Sequence, residues 1–409
     1  MNLKELKKYK RILILGYGLE GKAVHKFLEK YCPDSKIGIA DQKDDPDYLL
    51  KQNDYDLVIK SPGIPQKLVS AKYTTPTNIF FANANGPIVG ITGTKGKSTV
   101  ASLTYNILKV AGFDAYLVGN IGKPATMELI KPKTKEAIYV FELSSYQLSD
   151  IEYSPHIAAV LNLFPEHMDY HGGFTEYKAA KKRILQFASV DDYFVYNPGY
   201  PELIELAKKT NAKPVPYIEK LPFSEEGLPL VGQHNIENIK AAVTIASIFK
   251  IPTKTIEKAV KNFKPLPHRL EFVGTHKGIT FYDDAISTTP ESTIEALNSI
   301  PNVGTIFLGG TDRGYDFSKL AEKVRFSGIR NVVLFPDSGA RILEELTRLG
   351  NDWNILETRD METAVEFGYA HTPRGFVCML SCASPSYSVW KNFEEKGDLF
   401  KKYVKKYKK

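Results

Sequence analysis

Short apolar runs alternate with amphipathic stretches along nearly the whole chain. That pattern belongs to βαβ units and parallel sheets, so an α/β fold is expected. In a first segment, strands are predicted at 11–15, 37–40 and 57–60, with a helix over GKAVHKFLEKY. A second segment opens with a strand at 88–92 and a helix over STVASLTYNILKVAG, followed by the apolar strands AIYVF and IAAVLNL. A third carries strands at 279–282, 305–308, 331–334 and 375–380. The stretch AKYTTPTNIFFANANGP leads out of the first segment, and Pro265 and Pro267 break any helix and stiffen the entrance to the third. The expected division is therefore 1–85, 86–264 and 265–409. No internal repeat or low-complexity block interrupts it.

Composition adds exclusions. A chain of 409 residues, 43 % hydrophobic and 25 % charged, is ordinary globular material, neither fibrous nor disordered. No apolar run approaches the roughly 20 residues that cross a bilayer. The start MNLKELKKYKRILILG is basic and then apolar, but its apolar part is short for a signal-peptide core. The cytoplasm is the expected compartment, with no stable membrane insertion. Lys plus Arg is 54 against 47 for Asp plus Glu, a net charge of +7. That suits anionic substrates and is too weak to argue for nucleic acid. Part of it lies in the tail KKYVKKYKK at 401–409, expected to be a solvated, frayed helix end. Cys32, Cys378 and Cys382 make neither a disulfide framework nor a zinc pattern, and buried free thiols are expected.

The strongest chemical signal is GITGTKGKST at 90–99. An apolar strand feeds a Gly-rich loop that opens a helix, the context a phosphate loop requires. Backbone N–H groups from Gly93 to Lys97 can surround a phosphate, Lys97 brings a point charge, and the Ser98 hydroxyl suits Mg2+. Ile91 occupies the first glycine position of the strict pattern, so this is a shortened form. A second turn, Gly16-Tyr17-Gly18-Leu19-Glu20-Gly21, follows the strand RILIL, and Asp41 ends the next strand. Gly16, Gly18 and Gly21 let the backbone approach a pyrophosphate, and Asp41 is placed for a ribose hydroxyl. A dinucleotide and a UDP-sugar both fit this turn.

Further candidates sit after apolar strands. Glu142, in FELSSYQL, is a natural Mg2+ ligand beside a phosphate loop, and a capped helix start at Ser144 or Ser145 is compatible with that. His167, Asp169 and His171 crowd one loop, and Lys181 lies on the helix that follows. Asn235 and Asn238 share a helix face and are candidates for a nucleotide contact, with capping an equal account of Asn235. Arg269, in PHRLEF, lies in the linker. The loops YDDAISTTP and LSCASPSYSVWKNFEEKG close the series.

In this order, GTKGKST, ELSSYQL, NLFPEHMDYHGGFTEYKAAKKRI, GQHNIENIKAA, PHRLEF, the SPG at 61–63 and KNFEEKGDLF resemble the Mur ligase family over essentially the whole chain. The resemblance implies a Rossmann-like UDP-binding domain, a central P-loop ATPase domain with a parallel sheet, and a C-terminal Rossmann-like domain. The pattern is most similar to the members that join glutamate to UDP-N-acetylmuramoyl-L-alanine in peptidoglycan precursor synthesis. ATP would convert the substrate carboxylate into an acyl phosphate that the amino group attacks. Two Mg2+ ions, with Mn2+ an alternative, are implied, as is a monomer.

The resemblance also implies roles for single residues. Gly93, Thr94, Gly96, Lys97, Ser98 and Thr99 would hold ATP, with Asn235, Asn238, Arg269 and Asp284 at its base and ribose. Ser98 and Glu142 would take one metal, and His167 with Lys181 as a carbamate the other. Lys97, Asn120, His167 and Lys181 would be catalytic. Gly16, Gly18, Gly21, Asp41, Ser61, Gly63, Ser144 and Gln147 would meet the UDP substrate. Thr288, Arg313, Ser386 and Phe393 would hold the amino acid.

The chain departs from that pattern in the amino-acid pocket. DDAISTTP stands where D-glutamate enzymes carry a DSKATN-like motif, and Ile286 takes the lysine position. Arg313 replaces another lysine and keeps its charge, and LSCASPSYS places Pro385 beside Ser386. These variants resemble a subgroup that adds L-glutamate. D-glutamate is the first expectation and L-glutamate the alternative. A different amide ligase on the same scaffold is the rival within the class. A dinucleotide-dependent oxidoreductase or a non-ligase nucleotide-sugar binder is the rival outside it.

Overall fold

Three mainly parallel sheets carry the chain, and the computed structural model describes every residue except Pro132, His167, Val231, Asn351 and Lys409, together with the side chain of Asp169. The first sheet holds β1 (Arg11–Leu15), β2 (Lys36–Ala40), β3 (Leu57–Lys60) and β4 (Tyr73–Thr74), in the order β2-β1-β3-β4. The second holds β5 (Ile88–Thr92), β6 (Ala115–Gly119), β7 (Ile138–Glu142), β8 (Ile157–Val160), β9 (Tyr193–Tyr196) and β10 (Lys213–Pro216), in the order β10-β9-β8-β5-β7-β6. The third holds β11 (Glu271–His276), β12 (Ile279–Asp283), β13 (Val303–Gly309), β14 (Asn331–Phe335), β15 (Asn354–Glu357) and β16 (Val377–Leu380), in the order β11-β12-β16-β13-β14-β15. Only β11 and β12 pair antiparallel among the described residues.

The central strands are near-continuous apolar runs because helices cover both faces of a parallel sheet. Every residue of β5, β7, β8 and β13 is buried. The helix Leu19–Tyr31 buries Ala23, Val24, Phe27 and Leu28, a single stripe, against the first sheet. The helix Lys97–Val110 buries Val100, Leu103, Ile107 and Leu108 and packs on β5, β6 and β7 of the second sheet.

The described residues form two units, one of Met1–Leu228 with His234–Phe263 and one of Pro229–Gln233 with Lys264–Lys409. The first two sheets lie in the first unit. The helix Pro76–Asn83 joins them, with Ile79 in the core of the first sheet and Phe80 in that of the second, 5.1 Å from the ring of Tyr139. A buried ion pair, Lys60 Nζ to Asp150 Oδ2 at 2.5 Å, adds a polar bond across the same joint. The third sheet belongs to the second unit.

Some elements differ from expectation. The IAAVLNL strand ends at Val160, because Asn162 turns away to bond the loop after β5. The last strand starts at Val377, since Gly375 at φ +85° makes a turn. The pattern did not announce β4, β6, β9, β10, β11 or β15. In β10 two prolines mask the strand signal, and it sits on a sheet edge where a missing N–H is tolerated. The basic tail is less frayed than expected. The helix Phe393–Lys406 buries Phe400 and Val404, and Lys401 pairs with Glu271 at 3.0 Å. All three cysteines are buried free thiols.

Candidate active site

Ligands of open α/β sheets gather beyond the C-terminal strand ends, where the strand order reverses. In the first sheet that crevice lies past β1 and β3. Gly16 adopts φ +88°, and a Cβ there would lie 2.8 Å from Cβ of Ser61. A Cβ on Gly21 would lie 2.2 Å from the Gly16 carbonyl oxygen, so both glycines are demanded by close approach. Around Gly18 and Gly63 there is open space. Ser61 Oγ donates to the Gly16 carbonyl at 2.7 Å, and the Tyr170 hydroxyl donates to the Pro62 carbonyl at 2.9 Å. Asp41 accepts the Lys43 N–H at 3.0 Å and the Tyr17 N–H at 2.5 Å, and these bonds hold its carboxyl below the usual range. It therefore pins the glycine turn, a positioning role the fingerprint alone does not announce.

In the second sheet the reversal flanks β5. The loop after it turns at Gly96, φ +86°, where a Cβ would lie 2.3 Å from Asn238 Oδ1. Asn238 Nδ2 donates to Asn235 Oδ1 at 3.0 Å, so the two asparagines do share a face and lie against the loop. Asn162, read only as part of a motif, is the loop's clamp. Its Oδ1 accepts the N–H of Thr94 at 2.9 Å and of Lys95 at 2.8 Å, and its Nδ2 donates to the Lys95 carbonyl at 3.1 Å. The Thr94 hydroxyl accepts the Phe164 N–H and bonds the Tyr177 hydroxyl, each at 2.9 Å. Ser98 and Thr99 follow in the first turn of the helix, Thr99 buried.

Charged groups converge on this loop. Lys97 Nζ donates back to the Thr94 carbonyl at 2.7 Å. Lys181 is 1 % exposed, and its Nζ donates to the Gly93 carbonyl at 2.8 Å. Burial first, and then repulsion from Lys97, push the Lys181 ammonium well below the ordinary lysine range, against attraction from Glu166 and Glu142. Glu142 ends β7, 4 % exposed, and its carbonyl accepts the Asn120 N–H at 3.3 Å. A buried carboxylate and a hydroxyl at a helix start are hard oxygen donors, a set that fits Mg2+. His167, expected at the second metal, and the Asp169 side chain, expected in the same loop, lie outside the described residues. His171 reaches Ser145 Oγ at 3.0 Å. Ser144 caps the helix Ser145–Leu148 through Gln147, whose Nε2 donates to Glu20 at 2.7 Å.

In the third sheet β16 enters between β12 and β13, and the amino-acid candidates follow those strand ends. Thr288 lies after β12, Arg313 after β13 and exposed, and Ser386 after β16, 2 % exposed with Oγ lacking a hydrogen-bond partner among the described residues. Phe393 opens the final long helix and packs against His268, ring centroids 6.0 Å apart. Asp284 is buried, accepting the Leu270 N–H at 3.2 Å and the Ser381 hydroxyl at 2.7 Å, which fixes the backbone beside Arg269. Burial pushes its carboxyl up to about 6. Lys396 escaped the sequence reading. It is fully buried, its Nζ lies 6.0 Å from the Trp390 ring, and it faces the Cys382 thiol, whose ionised form it favours against burial. His268, Glu271 and Asp283 cluster within 4.8 Å, but Lys401, 3.0 Å from Glu271, already supplies a cation there.

Comparison with known proteins agrees with this geometry. Residues 91–221 match the Mur ligase middle domain, and residues 268–383 the Mur ligase glutamate ligase domain. A Streptococcus thermophilus protein named UDP-N-acetylmuramoylalanine–D-glutamate ligase is 33 % identical over 380 residues, covering 86 % of this chain and 83 % of that one. The Streptococcus pneumoniae serotype 2 protein of the same name is 31 % identical, covering 96 % of each. In fold, the chain is similar to MurF of Acinetobacter baumannii (TM-score 0.66, 16 % identity, 98 % of each chain). It is also similar to MurF of Thermotoga maritima in complex with ADP (TM-score 0.64, 16 % identity, 97 % of this chain and 95 % of that one). The serial motifs, the sheet topology and relatives above 30 % identity over most of both chains lead to one conclusion: the chain is a ligase and belongs to the Mur ligase family.

Proposed function

We propose that the chain joins glutamate to UDP-N-acetylmuramoyl-L-alanine at the expense of ATP, as a step of peptidoglycan precursor synthesis. One observation supports this above the others: Lys97, Lys181 and Glu142 meet at a clamped phosphate loop. A carboxylate is a poor electrophile, because its charge repels nucleophiles and oxide is a bad leaving group. Transfer of the γ-phosphoryl to it gives an acyl phosphate, which cures both faults. The loop amides and Lys97 would offset the charge that develops on the phosphoryl group. Ser98 and Glu142 would hold a Mg2+ ion, which when bound adds Lewis-acid stabilisation. Lys181, whose ammonium burial disfavours, is suited to capture CO2 as a carbamate and so become an oxygen ligand, with His167 as its expected partner. Asn120 would steady the acyl phosphate.

The domain division 1–85, 86–264 and 265–409 belongs to this reading. So do the UDP roles of Gly16, Gly18, Gly21, Asp41, Ser61, Gly63, Ser144 and Gln147, and the nucleotide roles of Asn235, Asn238, Arg269 and Asp284. Thr288, Arg313, Ser386 and Phe393 would receive the amino acid. D-glutamate is favoured by the names of the relatives. Ile286 in the lysine position favours a rebuilt pocket and keeps L-glutamate as the second reading. Phosphate release measured with ATP, Mg2+ and UDP-N-acetylmuramoyl-L-alanine, adding each glutamate enantiomer in turn, tests both. Amide product without phosphate, or undiminished turnover in Lys97→Ala, would overturn the proposal.

A further inference from the structure

The glycine turn after β1 carries an acid where an anion is expected. Glu20 lies in the first turn of the helix Leu19–Tyr31, directly after Gly18 and Leu19. Its Oε1 accepts the Gln147 Nε2–H at 2.7 Å, across 127 residues of sequence. Gln147 cannot turn its amide over, because its own Oε1 accepts the Ser144 N–H at 2.9 Å. Oε1 of Glu20 is therefore committed as an acceptor, and any carboxyl proton resides on Oε2. That atom is sealed from solvent and has no hydrogen-bond partner among the described residues. An ionised carboxylate here would repel a diphosphate at the same turn, whereas a carboxylic acid would donate to it.

We propose that Glu20 turns its sealed Oε2 toward the arriving nucleotide-sugar and engages the diphosphate as a neutral acid, donating Oε2–H to a phosphate oxygen, so that binding takes up one proton. This rests on the nucleotide-sugar reading above. Burial pushes the carboxyl up to about 7, opposed only by the Gln147 bond. Other ionisable groups stand on the surrounding elements. They are Lys22, His25, Lys26, Glu29, Lys30 and Tyr31 on its own helix, Tyr17 and Asp41 at the turn, Tyr146 beside Gln147, the Lys60–Asp150 pair, and Glu128 on the packed segment Ala125–Glu128 with its partner Lys133. None of them contributes to the shift.

Calorimetric titration of the full chain with UDP-N-acetylmuramoyl-L-alanine, without ATP, tests this from pH 6 to 9. Affinity should fall about 5-fold from pH 7 to 8 and about 10-fold from pH 8 to 9. Buffers of different ionisation enthalpy at pH 8 should report uptake of close to one proton. In Glu20→Gln the amide donates permanently and the slope should vanish, while His25, bonded to the Tyr17 hydroxyl at 2.6 Å, remains in place as a control. Tight binding with no pH dependence, or a slope retained in Glu20→Gln, overturns the proposal and leaves the nucleotide-sugar reading intact. No binding of the UDP-sugar at any pH overturns both.

Discussion

Replacing Lys60 by methionine leaves Asp150 buried without its cation. The two side chains are 0 % and 2 % exposed and 2.5 Å apart. Lys60 Nζ also donates to the Ile64 carbonyl at 2.7 Å, and Asp150 Oδ1 accepts the Tyr73 hydroxyl at 3.3 Å. At that separation and an effective dielectric of about 20, the attraction is on the order of 7 kcal/mol, and desolvation of two ions offsets most of it. The intact pair therefore contributes little net stability, but removing one partner should cost about 3–5 kcal/mol. In a unit of this size, that lowers the melting temperature by roughly 10 °C. The double variant Lys60→Met with Asp150→Leu should recover most of the loss, since a matched apolar pair needs no desolvation. Scanning calorimetry of wild type, single and double variants measures this. A single variant melting within 2 °C of wild type, or a double variant worse than the single, refutes the argument. The pair also has a positional consequence. Lys60 directly precedes Ser61, and Asp150 closely follows Gln147, so the single variant should weaken UDP-sugar binding beyond its effect on folding.

Two further outcomes follow from the site. Gly96→Ala forces a Cβ into a backbone at φ +86° and to 2.3 Å from Asn238 Oδ1, so ATP affinity should drop at least tenfold while UDP-sugar binding persists; equal loss of both would point to misfolding instead. Asp284 holds its proton to about pH 6 when folded, against 3.8 for the ordinary group, so the folded state binds more protons between these values and its stability falls as pH rises through them. Asp284→Asn should remove that dependence, worth up to about 3 kcal/mol, and chemical unfolding of both proteins at pH 4 and pH 6 reads the difference.

Most of the central strands and both glycine-rich turns were legible because their signals are local. A strand buried on both faces must be apolar throughout, and a phosphate cradle needs glycine at fixed offsets. Edge strands such as β10, with KPVP, lack that requirement and stayed hidden. The roles of Asp41, Asn162, Glu20 and Lys396 were not legible. Each depends on a partner that the chain brings up from elsewhere: Asp41 on Tyr17, Asn162 on the loop at Thr94, Glu20 on Gln147, and Lys396 on the Trp390 ring.

The sequence by itself determined the α/β class, the order of the strand-and-loop motifs and the kinds of chemical group at each strand end. Tertiary structure alone decided which of those groups meet, and in what protonation state. Burial against specific neighbours makes Lys181 a weak base and Glu20 a weak acid, while two backbone amides keep Asp41 ionised. Desolvation and hydrogen bonding act over a few ångströms in space, and no local stretch of sequence encodes that distance.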